Sequence, residues 1–144
     1  MFPSRLSTVA VLAATYFSRG RREPMRWFRR RTAASRTFDT GHPGDDEVLS
    51  QLSKRSNLEA PRHWMHYLYC ADEGSARQAE SQIRSGGWAI QVVEPAAAGP
   101  GWVVIAEAHG VVMTPSAVRD ARVFFEHVAS SVSGGDYDGW EASL

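Results

Sequence analysis

The chain has 144 residues, of which 43% are hydrophobic, and its 16 Lys and Arg residues equal its 16 Asp and Glu residues in number. This length favours one domain, and the composition is typical of a globular protein. The single cysteine excludes an internal disulfide and fits a reducing compartment, so we expect a cytoplasmic protein.

The net charge of zero hides a strong asymmetry between two parts of the chain. Residues 1–36 carry nine arginines and one acidic residue, which gives a net charge of +8. Residues 37–144 carry seven basic and fifteen acidic residues, which gives −8. A basic arm joined to an acidic domain is typical of a segment that contacts an anionic surface, or of a targeting segment.

This asymmetry predicts two regions: a disordered basic arm with its linker at 1–44, and a folded domain at 45–144. The apolar run at 6–17 is shorter than the roughly 20 residues that a membrane-spanning helix needs, so we expect no membrane partner. Three interpretations of residues 1–24 stay open. They are a disordered arm, a gene model that extends beyond a true start at Met25, and a secretory or transit segment.

The folded domain is predicted to begin with a short helix followed by a strand. Asp45 and Asp46 open the helix, where negative charge interacts favourably with the helix dipole. Residues 64–70 are rich in aromatic side chains and predict the first strand. Both alternating sets of this strand are apolar, so the pattern does not decide which set faces the core.

The second predicted helix has clear signals at both ends. Asp72 is a good N-cap for a helix over 73–85, and Gly86 and Gly87 provide a stop signal. The next strand is predicted over 88–94, and its alternation places Trp88, Ile90 and Val92 inward.

A third strand is predicted over 102–108, where the nearly continuous apolar run favours a central position in the sheet. The last helix begins at Thr114 and Pro115, a favourable N-cap followed by proline at the first helical position. Its apolar residues recur at helical spacing up to glycines 134 and 135, and residues 137–141 form the last strand. The order βαββαβ predicts an α+β, ferredoxin-like fold: a four-stranded antiparallel sheet with two helices on one face, plus a short N-terminal helix.

No candidate for catalysis, cofactor binding or metal binding emerges from the spacing of reactive residues. His63 and His66 are three residues apart and point to opposite faces of a strand, so they do not share a metal unless His63 lies before the strand begins. His66 and Cys70 would lie roughly 13 Å apart, too far for a catalytic pair. Asp136 and Asp138 are interpreted as part of a solvated turn. We therefore expect no enzyme, no cofactor and no metal.

Binding of nucleic acid by the folded domain is also not expected. Tyr67 and Tyr69 share one strand face and could stack on bases, as in nucleic-acid-binding domains of this topology. The third strand lacks the matching aromatic and basic residues, and a net charge of −8 repels phosphate. A small-molecule or nucleic-acid binding module that uses the open sheet face remains the alternative hypothesis.

Four segments between residues 45 and 141 resemble the RraB family of regulators of ribonuclease E activity. They are Asp45-Asp46-Glu47-Val48-Leu49, His66-Tyr67-Leu68-Tyr69, Gly87-Trp88 and Tyr137-Asp138-Gly139-Trp140-Glu141. The resemblance implies a ferredoxin-like fold and a non-enzymatic protein that binds an RNase E-type endoribonuclease and restrains RNA decay. The arginine-rich arm departs from the compact family pattern, so its role does not carry over.

The acidic charge of the domain favours a basic protein partner, which would be attracted in a salt-dependent way. Tyr137, Asp138, Trp140 and Glu141 are the predicted partner-binding residues, with the two rings as aromatic anchors. The alternative is that both rings pack on the last helix. The oligomeric state is left open.

Overall fold

The computed structural model describes residues 11–13 and 38–144, and every structural statement below refers to them. They form five strands and three helices: β1 (Val11–Ala13), α1 (Pro43–Arg55), β2 (Arg62–Cys70), α2 (Glu73–Ser85), β3 (Ala89–Pro95), β4 (Trp102–Val111), α3 (Pro115–Ser130) and β5 (Asp136–Ser143). The predicted α+β class is confirmed. Most of the predicted disordered arm and linker, residues 1–44, lies outside the described residues, which include only β1 and residues 38–44 of it.

The strands form one sheet in the order β1-β5-β2-β4-β3, and all neighbouring strands are antiparallel. The predicted antiparallel sheet of four strands corresponds to β2 to β5. The sequence did not predict β1, which pairs with β5 through Val11 opposite Ser143. Because β1 lies beside it, β5 has a neighbour on both sides. None of the described helices is both long and apolar enough to cross a membrane.

The helix boundaries follow the capping signals of the sequence. Asp72 caps α2 by accepting a hydrogen bond from Ser75 N at 2.8 Å, and these hydrogen bonds to Ser75 lower the pKa of Asp72. Thr114 caps α3 in the same way, accepting from the amide of Ala117 at 3.0 Å. α1 starts two residues earlier than predicted, because His42 caps it and Pro43 occupies its first turn.

Burial settles the face of β2 that the sequence left undecided. Trp64, His66, Leu68 and Cys70 are buried, and the residues between them are partly exposed. These buried side chains, with the exception of the polar His66, belong to one hydrophobic cluster with residues of all three helices, β4 and β5. The cluster contains apolar residues that recur at helical spacing on α3, namely Val118, Ala121, Phe125 and Val128, together with Val132 just after the helix.

One predicted orientation in β3 is wrong. Trp88 and Ile90 pack against the core as expected, but Val93 does so in place of Val92. The register with β4 shifts between Ile90 and Val92, so a bulge reverses the alternation from that point on. A strict two-residue period therefore places the wrong valine inward.

Candidate functional site

The four residues predicted to bind a partner all lie on β5, but they differ in accessibility. Trp140 is 1% exposed and belongs to the hydrophobic core, whereas Tyr137, Asp138 and Glu141 are partly buried. The register of β5 with β2 shifts where Asp138 lies, between the pairs Leu68–Tyr137 and Tyr67–Gly139. The structure therefore brings the four residues onto one strand and places them in different environments.

The indole of Trp140 is one of the donors to a fully buried carboxylate. Its Nε1 donates to Asp45 Oδ1 at 2.9 Å, and Asp45 has no exposed surface. Arg122 donates to the same carboxylate twice, from Nε to Oδ2 at 2.6 Å and from Nη2 to Oδ1 at 3.0 Å. A buried carboxylate needs such compensation, because removing a charge from water is costly. The three residues thus join α1, α3 and β5.

Arg122 continues this network towards the surface and towards β5. Its Nη1 donates to Glu126 at 2.7 Å, and its guanidinium lies 4.9 Å from the centre of the Tyr137 ring. Burial acts to lower the pKa of Arg122, but the hydrogen bonds and charge of Asp45 outweigh it and raise the pKa. The arginine therefore stays charged, and it makes a cation–π contact with the ring of Tyr137.

Tyr137 contacts a second buried polar residue, His66. The Tyr137 hydroxyl and His66 Nδ1 are 2.7 Å apart, and the His66 ring stacks on Phe125 with centroids at 4.3 Å. Burial and the charge of Arg122 lower the pKa of His66, and burial raises the pKa of Tyr137. Both groups are therefore neutral near pH 7, and neither is placed to exchange protons with solvent.

The second face of the sheet carries the partly exposed residues of β2, namely His63, Met65, Tyr67 and Tyr69. The Tyr67 hydroxyl donates a short hydrogen bond to Glu141 Oε2, so one predicted partner-binding residue already has a polar contact on this face. Burial and this contact raise the pKa of Tyr67. The second face thus combines aromatic surface with an acidic group.

The basic residues of the folded part are mostly engaged in contacts within the chain. Arg62 is 3% exposed and donates to the carbonyls of Ser143 and Asn57 at 2.9 and 2.6 Å. The other described arginines with such contacts are Arg77, Arg84, Arg119 and Arg122. The excess of acidic residues within residues 37–144 therefore dominates the electrostatic field that a partner would meet.

His66 lies in the core and His63 on the second face of the sheet, so the two side chains point to opposite faces as predicted. Cys70 is a free, buried cysteine, and burial raises the pKa of its thiol to about 11. Sequence reasoning missed the contact of Asp45 with Arg122 and treated Asp45 only as a favourable residue in the first turn of a helix.

An apolar groove of about 470 Å³ lies between the turn that joins α2 to β3, strands β2 and β4, and α3. Its walls include Trp64, Trp88 and Phe124, and its charged lining residue is Asp120. The volume suits a small ligand, but such sites usually add several convergent polar groups that fix the ligand's orientation. The groove therefore offers apolar contact with little chemical specificity.

Comparison with known families identifies a match. The family model described as Regulator of ribonuclease activity B, RraB, matches residues 44–142, which is more than half of the chain. No curated protein matches the chain. The matched range begins in α1 and ends in β5, so it includes both ends of the Asp45–Trp140 contact.

Proposed function

Because the chain belongs to the RraB family of regulators of ribonuclease activity, we propose that it is a non-enzymatic, cytoplasmic regulator that binds an RNase E-type endoribonuclease and modulates RNA turnover. The observation that carries this proposal is the family match over residues 44–142, together with the acidic character of the same region. The partner then has a basic surface, and the complex forms through electrostatic attraction followed by local contacts.

We assign the folded region to the ferredoxin-like arrangement, with α2 and α3 on one face of the sheet. The support is the strand order β5-β2-β4-β3 with antiparallel pairing throughout. The alternate burial along β2 and the single cluster that includes residues of both helices are in keeping with it. This arrangement leaves the second face of the sheet and the loops for contacts with other molecules.

The proposed partner surface lies at β5, where Asp138 and Glu141 supply negative charge. Exposed Asp136 adds a further carboxylate beside them. Tyr137 packs against His66 and Phe125 on the core face of the sheet and supports β5 from there. Trp140 has a different part in this proposal. Because it is buried against Asp45, it fixes the position of β5 and does not touch the partner.

The test is direct binding of the purified full chain to an RNase E-type endoribonuclease, combined with its effect on cleavage of an RNA substrate. We expect binding that weakens as salt rises, and a changed cleavage rate at saturating chain. The double variant Asp136→Lys, Asp138→Lys should weaken binding at least tenfold. Glu94→Lys, Asp120→Lys is the matched control, since it also reverses two charges, which are exposed on β3 and α3 and lie outside β5.

Two results would overturn this proposal. The first is no binding and no effect on cleavage at micromolar concentrations. The second is equal loss of binding in the control variant and in the double variant, which would show that β5 is not the contact surface. Affinity capture from a lysate adds a check, because it should recover RNA-processing proteins at low salt and lose them at high salt.

A second candidate function is binding of a small molecule or nucleic acid on the second face of the sheet. It is favoured by Tyr67 and Tyr69, which are partly exposed beside each other on alternate positions of β2. Glu141 on the same face counts against a phosphate-rich ligand. Saturable quenching of tryptophan fluorescence by single-stranded RNA, in the absence of any protein partner, would favour this function over the first.

A further inference from the structure

Three potential metal ligands come together on the second face of the sheet, opposite the buried contact of Asp45 with Arg122 and Trp140. They are His63 of β2 and Glu107 and His109 of β4, and their ligand atoms all lie within 4.8 Å of one another. His63 Nε2 is 2.7 Å from Glu107 Oε1, and His109 Nε2 is 3.5 Å from the same oxygen. The two imidazole rings are stacked, with centroids 4.2 Å apart and planes at 3°.

A β-bulge accounts for this convergence. Trp64 pairs with Ala108 and Arg62 pairs with Val111, so His63 alone stands opposite both His109 and Gly110. Gly110 has φ of 68°, a conformation that glycine adopts without steric cost, and this absorbs the extra residue. The bulge therefore keeps His109 next to His63 and on the same face as Glu107, two residues away.

We propose that His63, Glu107 and His109 form a binding site for a divalent transition-metal ion, with zinc as the best match. Two imidazole nitrogens and one carboxylate oxygen are a ligand set that zinc accepts, with water completing a tetrahedron. Metal–ligand bonds of about 2.0–2.2 Å place neighbouring ligand atoms roughly 3.3–3.5 Å apart. The His109–Glu107 separation of 3.5 Å lies in that range, whereas the His63–Glu107 separation of 2.7 Å is a direct hydrogen-bond distance, so the side chains have to rotate before an ion fits between them.

The exposure of the His109 and Glu107 side chains fits a rotation of His109 towards a metal ion. A metal bond lies in the plane of an imidazole ring, so one of the stacked rings has to tilt. His109, whose side chain is 68% exposed, can do so without disturbing the core. Glu107 is held more firmly, with 18% exposure and a hydrogen bond from Gln91 Nε2 at 3.3 Å. Such an outer contact orients a ligand before the metal arrives.

Binding of the ion would link β2 to β4 across the bulge and would leave one coordination position open to water or to a donor from another molecule. An ion that binds only the folded chain also stabilises it by mass action. The other reading of the same geometry is a His63–Glu107 ion pair with His109 stacked beside it, without any metal. The two readings predict different results for added metal.

The test uses the full chain without a polyhistidine tag. Zn²⁺ is added and binding is followed by calorimetry, and Co²⁺ is added and followed by visible absorption. We expect one ion per chain, a Co²⁺ spectrum typical of four- or five-coordination, and a rise of the melting temperature with Zn²⁺. Glu107→Gln and His109→Ala should each lower the affinity by more than about tenfold, because loss of a ligand should cost at least as much as loss of an outer-shell partner, about 10–100-fold.

His127→Ala is the matched control, because His127 is an exposed histidine on α3 and should not affect metal binding. His109→Ala removes an exposed side chain, so its circular dichroism spectrum and melting temperature without metal should equal those of the wild type. The proposal is overturned if the wild type shows no saturable binding. It is also overturned if His109→Ala binds Zn²⁺ as tightly as the His127→Ala control.

Discussion

The most direct test of the buried contact of Asp45 with Arg122 and Trp140 is replacement of Asp45 by alanine. The substitution removes the acceptor of two hydrogen bonds from Arg122, at 2.6 and 3.0 Å, and of one from Trp140, at 2.9 Å. Removing one partner of a buried ion pair costs about 3–5 kcal/mol, and a buried donor left without an acceptor costs about 1–3 kcal/mol. Arg122 retains Glu126 and is 12% exposed, which offsets part of this cost. We therefore expect a loss of about 4 kcal/mol.

A loss of that size is a large share of the total of about 5–15 kcal/mol that holds a typical domain folded. At roughly 4–8 °C per kcal/mol for a domain of about this size, the melting temperature should fall by more than about 15 °C. The assay is urea unfolding followed by tryptophan fluorescence and circular dichroism, with the free energy of unfolding extrapolated to water.

The control for Asp45→Ala is Glu126→Ala. Glu126 also pairs with Arg122, but its side chain is 55% exposed, and exposed ion pairs contribute about 0–1 kcal/mol. The double variant Asp45→Leu, Arg122→Met should recover part of the lost stability, because no charge is then left unpaired in the interior. If Asp45→Ala costs less than about 1 kcal/mol, or no more than Glu126→Ala, the account of this network is wrong.

Three further predictions follow from burial and packing. The lowered pKa of His66 means that the unfolded chain, with a pKa of 6.5 at this residue, binds more protons than the folded chain. The contribution of His66 to the free energy of unfolding is therefore complete above pH 6.5 and is lost as the pH falls below it, by up to about 1.4 kcal/mol per pH unit. His66→Phe should flatten the dependence of the urea-derived free energy of unfolding on pH, and an unchanged slope would contradict this. Gly135→Ala should destabilise the chain by more than about 2 kcal/mol, because the added Cβ would lie 1.9 Å from the carbonyl oxygen of Ala129. Gly74→Ala in α2 is the control and should leave the stability equal or raise it by up to about 1 kcal/mol. Equal melting temperatures of the two variants would refute the packing argument. Cys70, with its pKa raised to about 11 by burial, should react slowly with a disulfide reagent at pH 8 unless urea is added, and rapid labelling of the native chain would show that the thiol is accessible.

The elements with strong local signals could be predicted from the sequence. α2 begins after Asp72 and ends at Gly86 as expected, because capping and glycine termination act within a few residues. Thr114 and Pro115 fixed the start of α3 for the same reason. The order of strands and helices also followed, because hydrophobic periodicity reports which elements have a buried side.

Features that depend on pairing between distant residues were not accessible in the same way. The bulge in β3 depends on the register with β4, and nothing near Gln91 in the sequence marks it. The contact between Asp45 and Trp140 joins residues 95 positions apart, and the cluster of His63 with Glu107 spans 44 positions. A single sequence lists these residues, but only the folded sheet shows which of them meet.

The structure separates two roles within the C-terminal motif that resembles the family. Trp140 lies in the core and donates to a buried carboxylate, so its replacement would lower stability whether or not β5 binds a partner. Loss of regulation in a Trp140 variant would therefore say little about binding. Asp136 is exposed, and its charge can be reversed without opening a cavity. If Asp136→Lys keeps the melting temperature but no longer binds the ribonuclease, the contact lies on β5. If it keeps both the melting temperature and the binding, the contact lies elsewhere on the acidic surface.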